Sequence, residues 1–468
     1  ILLGRDGDAY PDLPPGTRVV SRPAWTQKTL LHALSELSAG YDLSYFAWAD
    51  CPLLDPALAG RVAERHLRYA AEYSYADGWP YGFAPELLAP GTAGILAAIL
   101  GDEDGPVERD CLFSVLQKDI NAFDIETEIS PADLRSHRLN LAADSRRNLL
   151  LLARLMEAGL AEAADAEGII AGRPELLRTL PAFYAVQAAG PCPQACSFCP
   201  YPKFGAGSEG VTARKDFLDP GRFAELLDGI GEFSGDGVVD LSLWGELSLH
   251  PQRAALIAAI LERPGLSAVI ETSGLGWNRA ELEALADAAS RSAPRKNRMA
   301  SLSWIVSLDA AEGGRYREIR GLGFAEAVEC AQTLTRLFPA DAYVQAVRVK
   351  GAEDDIEQFY RSWKDAGANI IIQKYDDFCG ALPKLQAADL SPVRRQPCWH
   401  LMRDMSILID GSVPVCRELS AGAEMLGNAF TENLSTIWDR GAPLYREHCG
   451  NRYRSPCAEC DEYYTYNF

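Results

Sequence analysis

The residues with the most chemistry in this chain are its twelve cysteines, and they are unevenly spread. Cys192, Cys196 and Cys199 follow one another at spacings of three and two residues. Three thiolates can hold three irons of a [4Fe–4S] cube and leave the fourth iron open. Zinc would want a fourth ligand nearby, and His250 is the nearest histidine; core or zinc-binding thiols are the alternative reading. Cys398, Cys416, Cys457 and Cys460 form a second group. Asp410-Gly411 reads as a turn joining strands Met405–Ile409 and Val413–Cys416, with a chelating CxxC pair further on. Four thiolates close an iron–sulfur cube or a zinc site, and spacing alone does not separate the two. Of the remaining thiols, Cys449 reads as spare and Cys330 as core. Cys379 reads as a buried structural thiol or a catalytic group facing substrate. Its neighbours Tyr375, Asp376 and Asp377 are candidates for proton removal.

These groups need a frame. The chain has 468 residues, 48% hydrophobic and 24% charged, with a net charge of −20. Such proportions exclude collagen, wholesale disorder and coiled coil. The acidity argues against nucleic-acid backbones and anionic lipid as partners. No run of apolar residues is long enough for a membrane helix. No basic-then-apolar leader stands at the start as given. Grouped thiols in a leaderless chain imply a reducing compartment, so the expected location is the cytoplasm.

Strand-then-helix alternation fills residues 182–390. The strand candidates are Phe183–Ala188, Val238–Leu243, Ala268–Glu271, Ser303–Ser307, Val344–Val349 and Asn369–Gln373. The helix candidates are Arg222–Phe233, Gln252–Glu262, Ala280–Ser290, Phe324–Leu337 and Asp355–Ala366. Alternation of this kind argues for an α/β fold with a parallel sheet. Six strands make it a partial (β/α)6 barrel. Residues 1–170 read as a separate α/β domain, with a strand at Tyr45–Ala49 and helices at Pro56–Ala71, capped by Asp55, and Leu141–Ala161. Residues 168–181 read as a linker, and residues 391–468 as a small Cys-rich domain.

The stretch Cys192-Pro193-Gln194-Ala195-Cys196-Ser197-Phe198-Cys199 resembles the hallmark of radical S-adenosylmethionine (SAM) enzymes, CxxxCxΦC with an aromatic at Φ. The resemblance covers residues 182–468. It implies a SAM-binding [4Fe–4S] cluster on the three thiols, with Phe198 beside it. Trp244-Gly245-Glu246 is similar to the turn that binds the methionine amino group, although the family often has Gly where Trp244 stands. Thr272-Ser273-Gly274 matches the place of ribose contacts. Ser307-Leu308-Asp309 closes the fourth strand, where the resemblance implies cofactor contacts from Ser307 and Asp309, and Arg320 matches the arginine that meets the SAM carboxylate. The second thiol group, with Leu426-Gly427-Asn428 and Ile437-Trp438, resembles the SPASM/twitch extension and implies an auxiliary [4Fe–4S] cluster on Cys398, Cys416, Cys457 and Cys460. A full SPASM domain has further cysteines after the CxxC pair. None follows Cys460 here, which matches the shorter, one-cluster twitch form.

Residues 1–170 are similar to sugar-nucleotide cytidylyltransferases in Ala49-Asp50-Cys51-Pro52, Trp79-Pro80-Tyr81-Gly82, Glu108-Arg109-Asp110 and Arg138-Leu139-Asn140 through Asp144. That resemblance implies Mg2+ on Asp50 and Asp144, but the basic Gly-rich loop that cradles a triphosphate is not seen before Asp50. The whole order resembles the spirochaete spiro-SPASM proteins. It implies an enzyme that cleaves SAM to a 5′-deoxyadenosyl radical and oxidises an unidentified sugar- or nucleotide-linked small molecule. The alternatives are a peptide-modifying enzyme and a non-enzymatic nucleotide- and metal-binding scaffold. A one-electron reductant such as flavodoxin or ferredoxin is the implied partner.

Overall fold

The computed structural model describes residues 1–201, 216–388, 391–392, 394–419 and 424–463. The chain divides into two compact units, Ile1–Asp144 with Leu152–Gly172, and Ser145–Leu151 with Arg173–Phe468.

The first unit is built on a four-stranded sheet in the order Ser44–Phe46, Glu86–Leu88, Tyr73–Asp77, Ile125–Ile129. The first three strands pair antiparallel, and the last joins in parallel. Asp55 caps the helix Pro56–Tyr69 by accepting the Ala57 and Leu58 N–H groups, and Pro56 fills the first turn, where no N–H is needed. The expected long helix at 141–161 is shorter, Arg146–Glu157. The Asn140 side chain accepts the Ala142 N–H, which holds the preceding residues in a turn. The expected linker is partly ordered, as the helix Ala166–Gly172 and a 3-10 turn at Pro174–Leu177.

The second unit is an α/β structure around seven parallel strands. Their order is Asn369–Lys374, Ala342–Arg348, Leu302–Ser307, Leu266–Thr272, Gly237–Asp240, Phe183–Val186, Asp404–Ile407. Alternate side chains point to opposite faces of a strand. Val186, Val239, Ile270, Val306 and Val344 face helices Pro220–Ser234, Arg253–Leu261, Arg279–Arg291, Phe324–Leu337 and Glu353–Asp365 in one apolar core. Residues of the six strands 183–374 line one shared cavity from the other face: Ala185, Asp240, Glu271, Ser307, Gln345 and Gln373. The sheet is an open, partial barrel wrapped around a polar interior.

The seventh strand departs from the sequence expectation. Residues 405–409 do not form a hairpin with 413–416. Asp404–Ile407 instead extends the sheet in parallel beside Phe183–Val186, and Ser412–Pro414 pairs antiparallel with Met425–Asn428. The Asp410-Gly411 turn survives between them. A Cβ on Gly411 would lie 2.5 Å from Asn428 Oδ1, and its φ is +85°, so glycine is required.

Arg178 fastens this C-terminal segment to the chain ahead of the sheet. It is buried, its Nε donates to Leu401 O at 2.9 Å and its Nη2 to Trp438 O at 2.7 Å. Its guanidinium lies 3.6 Å from the Trp438 ring centroid, and Trp438 Nε1 donates to Thr179 O at 2.8 Å. Arg178→Ala removes two charge-assisted bonds and a desolvated cation–π contact. It is expected to cost about 3 kcal/mol, read from denaturant unfolding. Arg173→Ala, on an exposed surface pair, should cost under about 1 kcal/mol in the same assay.

Candidate functional site

A cavity of about 250 Å3 opens at the C-terminal ends of the barrel strands, where sites on such sheets form. Cys192, Cys196 and Cys199 stand together on its wall, with Phe198 between them. Burial pushes the Cys192 thiol up to about 11 and the Cys199 thiol up to about 12. Such thiols keep their protons until a metal displaces them.

Gly245, Glu246, Thr272, Ser273, Ser307 and Arg320 line the same cavity. Glu246 is clamped from three sides. Its Oε1 accepts Thr272 Oγ1 at 2.7 Å and the Ser248 N–H at 3.2 Å, and its Oε2 accepts the Ser273 N–H at 2.8 Å. The Glu246 N–H donates to Pro191 O at 2.9 Å, next to Cys192. Arg320 donates from Nε to Gln194 Oε1 at 3.0 Å and pairs with Asp309. Asp309 also accepts the Val347 N–H at 2.7 Å and does not line the cavity. It was expected to contact the cofactor. The structure places it behind Arg320, holding the guanidinium.

Gly245 is where two loops touch. Its φ is +95°, and an added Cβ would lie 1.9 Å from Ala189 O. Trp244 sits at φ +49° and carries a ring between Tyr201, at 6.3 Å, and Phe378, at 5.6 Å.

Sequence reading missed the inner wall. Glu271 Oε1 accepts from Ser307 Oγ and Gln345 Nε2, both at 2.7 Å. Asp240 accepts the Ser242 N–H at 3.0 Å, and burial pushes its carboxyl up to about 7. Asp240, Glu271 and Gln345, with Gln373, Lys374 and Arg417, also line a deeper cavity of about 480 Å3. The signal was available, as single polar residues inside apolar strands (VVD, IET, VQA, IQK).

The four proposed catalytic residues separate. Tyr375 and Asp376 line the first cavity. The Tyr375 hydroxyl, however, donates to Pro383 O at 2.6 Å. Asp377 lies outside it, accepting the Gly380 N–H at 3.0 Å as a turn cap. Cys379 faces elsewhere, into a second cavity that it lines with Cys398, Cys416, Cys457 and Cys460. Cys449 is half-buried beside Tyr445 and does not line that cavity. Residues 374–379 are the partition between the two cavities. Asp376 on one side is hydrogen-bonded to Glu418 on the other. Burial and Glu418 hold Asp376 well above the usual carboxylate range. Burial alone would raise Glu418 as well, but Arg417, with Nε at 2.7 Å, the bond to Asp376 and nearby His400 together hold its carboxyl below the usual value.

In the first unit, Arg109 donates to Asp50 at 2.7 and 2.5 Å and to Asp144 at 2.9 Å. Its guanidinium lies 4.9 Å from the Trp48 ring centroid. A side-chain cation therefore bridges the two carboxylates expected to hold Mg2+. The pair does not offer the free oxygen set a hard divalent ion needs, so the arrangement does not support the expected Mg2+ site. Beside this bridge is a cavity of about 370 Å3 walled by Phe46, Tyr75, Trp79 and Phe113.

Gly245→Ala should destabilise the chain by about 2–4 kcal/mol, because both a backbone clash and a positive φ oppose it. Gly321→Ala has a similar φ of +105° but nothing within 4 Å of the added Cβ, and should cost about 1 kcal/mol. Denaturant midpoints of the two variants give the comparison. Equal costs would show that the close approach to Ala189 is not what constrains position 245.

Residues 398–461 match the family model of SPASM, described as an iron–sulfur cluster-binding domain. Among solved structures, Streptococcus suis SuiB bound to precursor peptide SuiA is 14% identical, covering 64% of this chain and 74% of that one, with a TM-score of 0.45. The anSMEcpe structure with bound AdoMet is 11% identical, covering 60% and 83%, with a TM-score of 0.44. BtrN in complex with AdoMet and 2-DOIA is 15% identical, covering 60% and 94%, with a TM-score of 0.40. An uncharacterized protein of Treponema pallidum (strain Nichols) is 37% identical over 364 residues, 76% of this chain and 98% of that protein. A second one from that organism is 41% identical over 54 residues, 25% of its length. No helix among the described residues is long and apolar enough to cross a membrane. The chain belongs to the family of the first Treponema pallidum protein, and it carries a SPASM iron–sulfur cluster-binding domain at residues 398–461.

Proposed function

We propose that this chain is a radical SAM enzyme that oxidises a small polar substrate with the help of an auxiliary iron–sulfur cluster. The observation that carries the reading is the first cavity, which gathers three thiols, a clamped carboxylate and a pinned guanidinium. The thiols suit a cube with one open iron. A carboxylate and a guanidinium suit the amino and carboxylate ends of an amino acid. When bound, the cluster and SAM supply one electron and a 5′-deoxyadenosyl radical that takes a hydrogen atom from the substrate.

The chain's own residues do the rest. Glu246 takes the amino end of SAM and Arg320 the carboxylate end. Thr272, Ser273, Gln194 and Asp309 fix those two groups before SAM arrives, which lowers the cost of ordering on binding. Trp244, Tyr201 and Phe378 wall the cavity with rings and keep water from the radical. Net oxidation also requires a proton to leave. The Asp376–Glu418 pair holds one proton and has room for a second, so Asp376 receives the substrate proton as its own passes to Glu418. The electron goes to the SPASM side of the partition. Asp240, Glu271, Gln345, Gln373 and Lys374 give the interior donors and acceptors suited to a polar small molecule such as a sugar derivative. A peptide is the competing substrate class, and a flavodoxin or ferredoxin is the proposed reductant.

Anaerobic reconstitution with iron and sulfide should load two cubes, about eight irons per chain. Reduction with SAM present should then release 5′-deoxyadenosine. Glu246→Ala and Arg320→Ala should each weaken SAM binding at least about tenfold, the equivalent of 1.4 kcal/mol, with iron content unchanged. Cys192→Ala should abolish the nucleoside product. Zinc in place of iron, or full SAM affinity in both variants, would refute the reading.

A further inference from the structure

The SPASM match begins at Cys398, yet the cavity that holds its four thiols contains a fifth, Cys379. A closed cube has places for four. Cys379 is in direct side-chain contact with Cys460, so the surplus thiol stands beside one particular ligand candidate. The same cavity is lined by His448, only 1% exposed, whose two ring nitrogens have no hydrogen-bond partner among the described residues. A buried imidazole left unpartnered beside five thiols marks a space built around a bound group.

The backbone explains how the fifth thiol reaches it. Phe378, Cys379 and Gly380 have φ of +50°, +55° and +84°. Asp376 accepts the Phe378 N–H at 2.7 Å and Asp377 accepts the Gly380 N–H at 3.0 Å. This turn sends Phe378 into the first cavity and Cys379 into the second.

We propose that Cys379 and Cys460 are interchangeable ligands of one iron of the auxiliary cluster. The inference rests on the reading of that cavity as a [4Fe–4S] site. In the exchange the iron–sulfur bond to Cys460 breaks and the one to Cys379 forms. The proton of Cys379 passes to Cys460, and no electron moves. The thiol off the iron donates an S–H bond to the sulfur on it, and hydrogen bonds to ligating sulfur are among the factors that set a cluster's potential.

Two measurements test this. The first uses the unmodified holoprotein: anaerobic alkylation with iodoacetamide followed by peptide mapping, with the iron-free chain as reference. Partial and complementary protection of Cys379 and Cys460 is expected. Full protection of either with full labelling of the other overturns the exchange. The second uses variants in which Cys192, Cys196 and Cys199 are all alanine, so that only the auxiliary iron is counted. Cys379→Ala and Cys460→Ala should each keep about four irons, with a shifted electron paramagnetic resonance signal in at least one. The double variant and Cys416→Ala should each lose more than half. If Cys460→Ala loses as much as Cys416→Ala, the exchange is wrong while the cluster stands. If Cys416→Ala keeps its iron, the cluster reading itself is wrong. Should Cys460→Ala fail to fold by circular dichroism, the alkylation result on the unmodified chain decides.

Discussion

The site depends on one close approach, the backbone of Gly245 against the carbonyl of Ala189. Ala189 ends the run that follows the first strand, and Cys192 comes three residues later. Gly245 lies in the loop that follows the second strand, and Glu246 comes next. With a Cβ at 245 the two loops could not meet, and the thiol triad and the carboxylate would stand on separate walls. The parallel pairing of Phe183–Val186 with Gly237–Asp240 sets the two strand ends level, and the missing side chain lets the loops close over them. The neighbouring Trp244 adopts a left-handed conformation, which a bulky residue holds only when its surroundings enforce it. Its ring is held between Tyr201 and Phe378.

A barrel interior carrying this many ionisable groups would be unstable if each stood alone. The structure resolves this by pairing. Arg320 has Asp309, Arg417 has Glu418, and Lys374 has Glu462 and Asp461. Such pairs add little to stability, because desolvation offsets their attraction, but breaking one leaves a buried charge. What they contribute is position. Asp309 holds Arg320 at the cavity wall, and Glu418 holds Asp376 at the partition. A buried polar site has no solvent to align its groups, so protein dipoles and counter-charges do that work.

The legibility of the sequence followed the range of the forces involved. The six strands and the five helices between them were readable because apolar periodicity is local, and the Asp55 cap and the Asp410-Gly411 turn were readable for the same reason. The strand Asp404–Ile407 was read as half of a hairpin, since a turn signal says nothing about a distant edge strand with an unpaired face. Asp309 and Asp377 carry the right chemical groups but point to a guanidinium and a turn N–H, and orientation is not written in residue type. Asp50 and Asp144 show the same limit more sharply. Two acids suggested a divalent ion, and only the fold brings Arg109 between them.

The partition at residues 374–379 joins the chemistry of the two cavities. Consecutive residues of one short segment serve both sides: Tyr375, Asp376 and Phe378 face the first cavity, and Cys379 faces the second. The Asp376 carboxyl at the first cavity is hydrogen-bonded to Glu418, which lines the second with Cys379. The turn cannot easily relax. Two of its residues at positive φ carry side chains, and Asp376 and Asp377 spend backbone hydrogen bonds to hold it. Strain of that order, about 1–3 kcal/mol per residue, persists where the geometry is needed. Here the turn ends the sixth strand with Phe378 at the first cavity and Cys379 at the second. The sixth strand therefore ends in a short segment that sets a carboxyl, Asp376, at one cavity and a sulfur, Cys379, at the other.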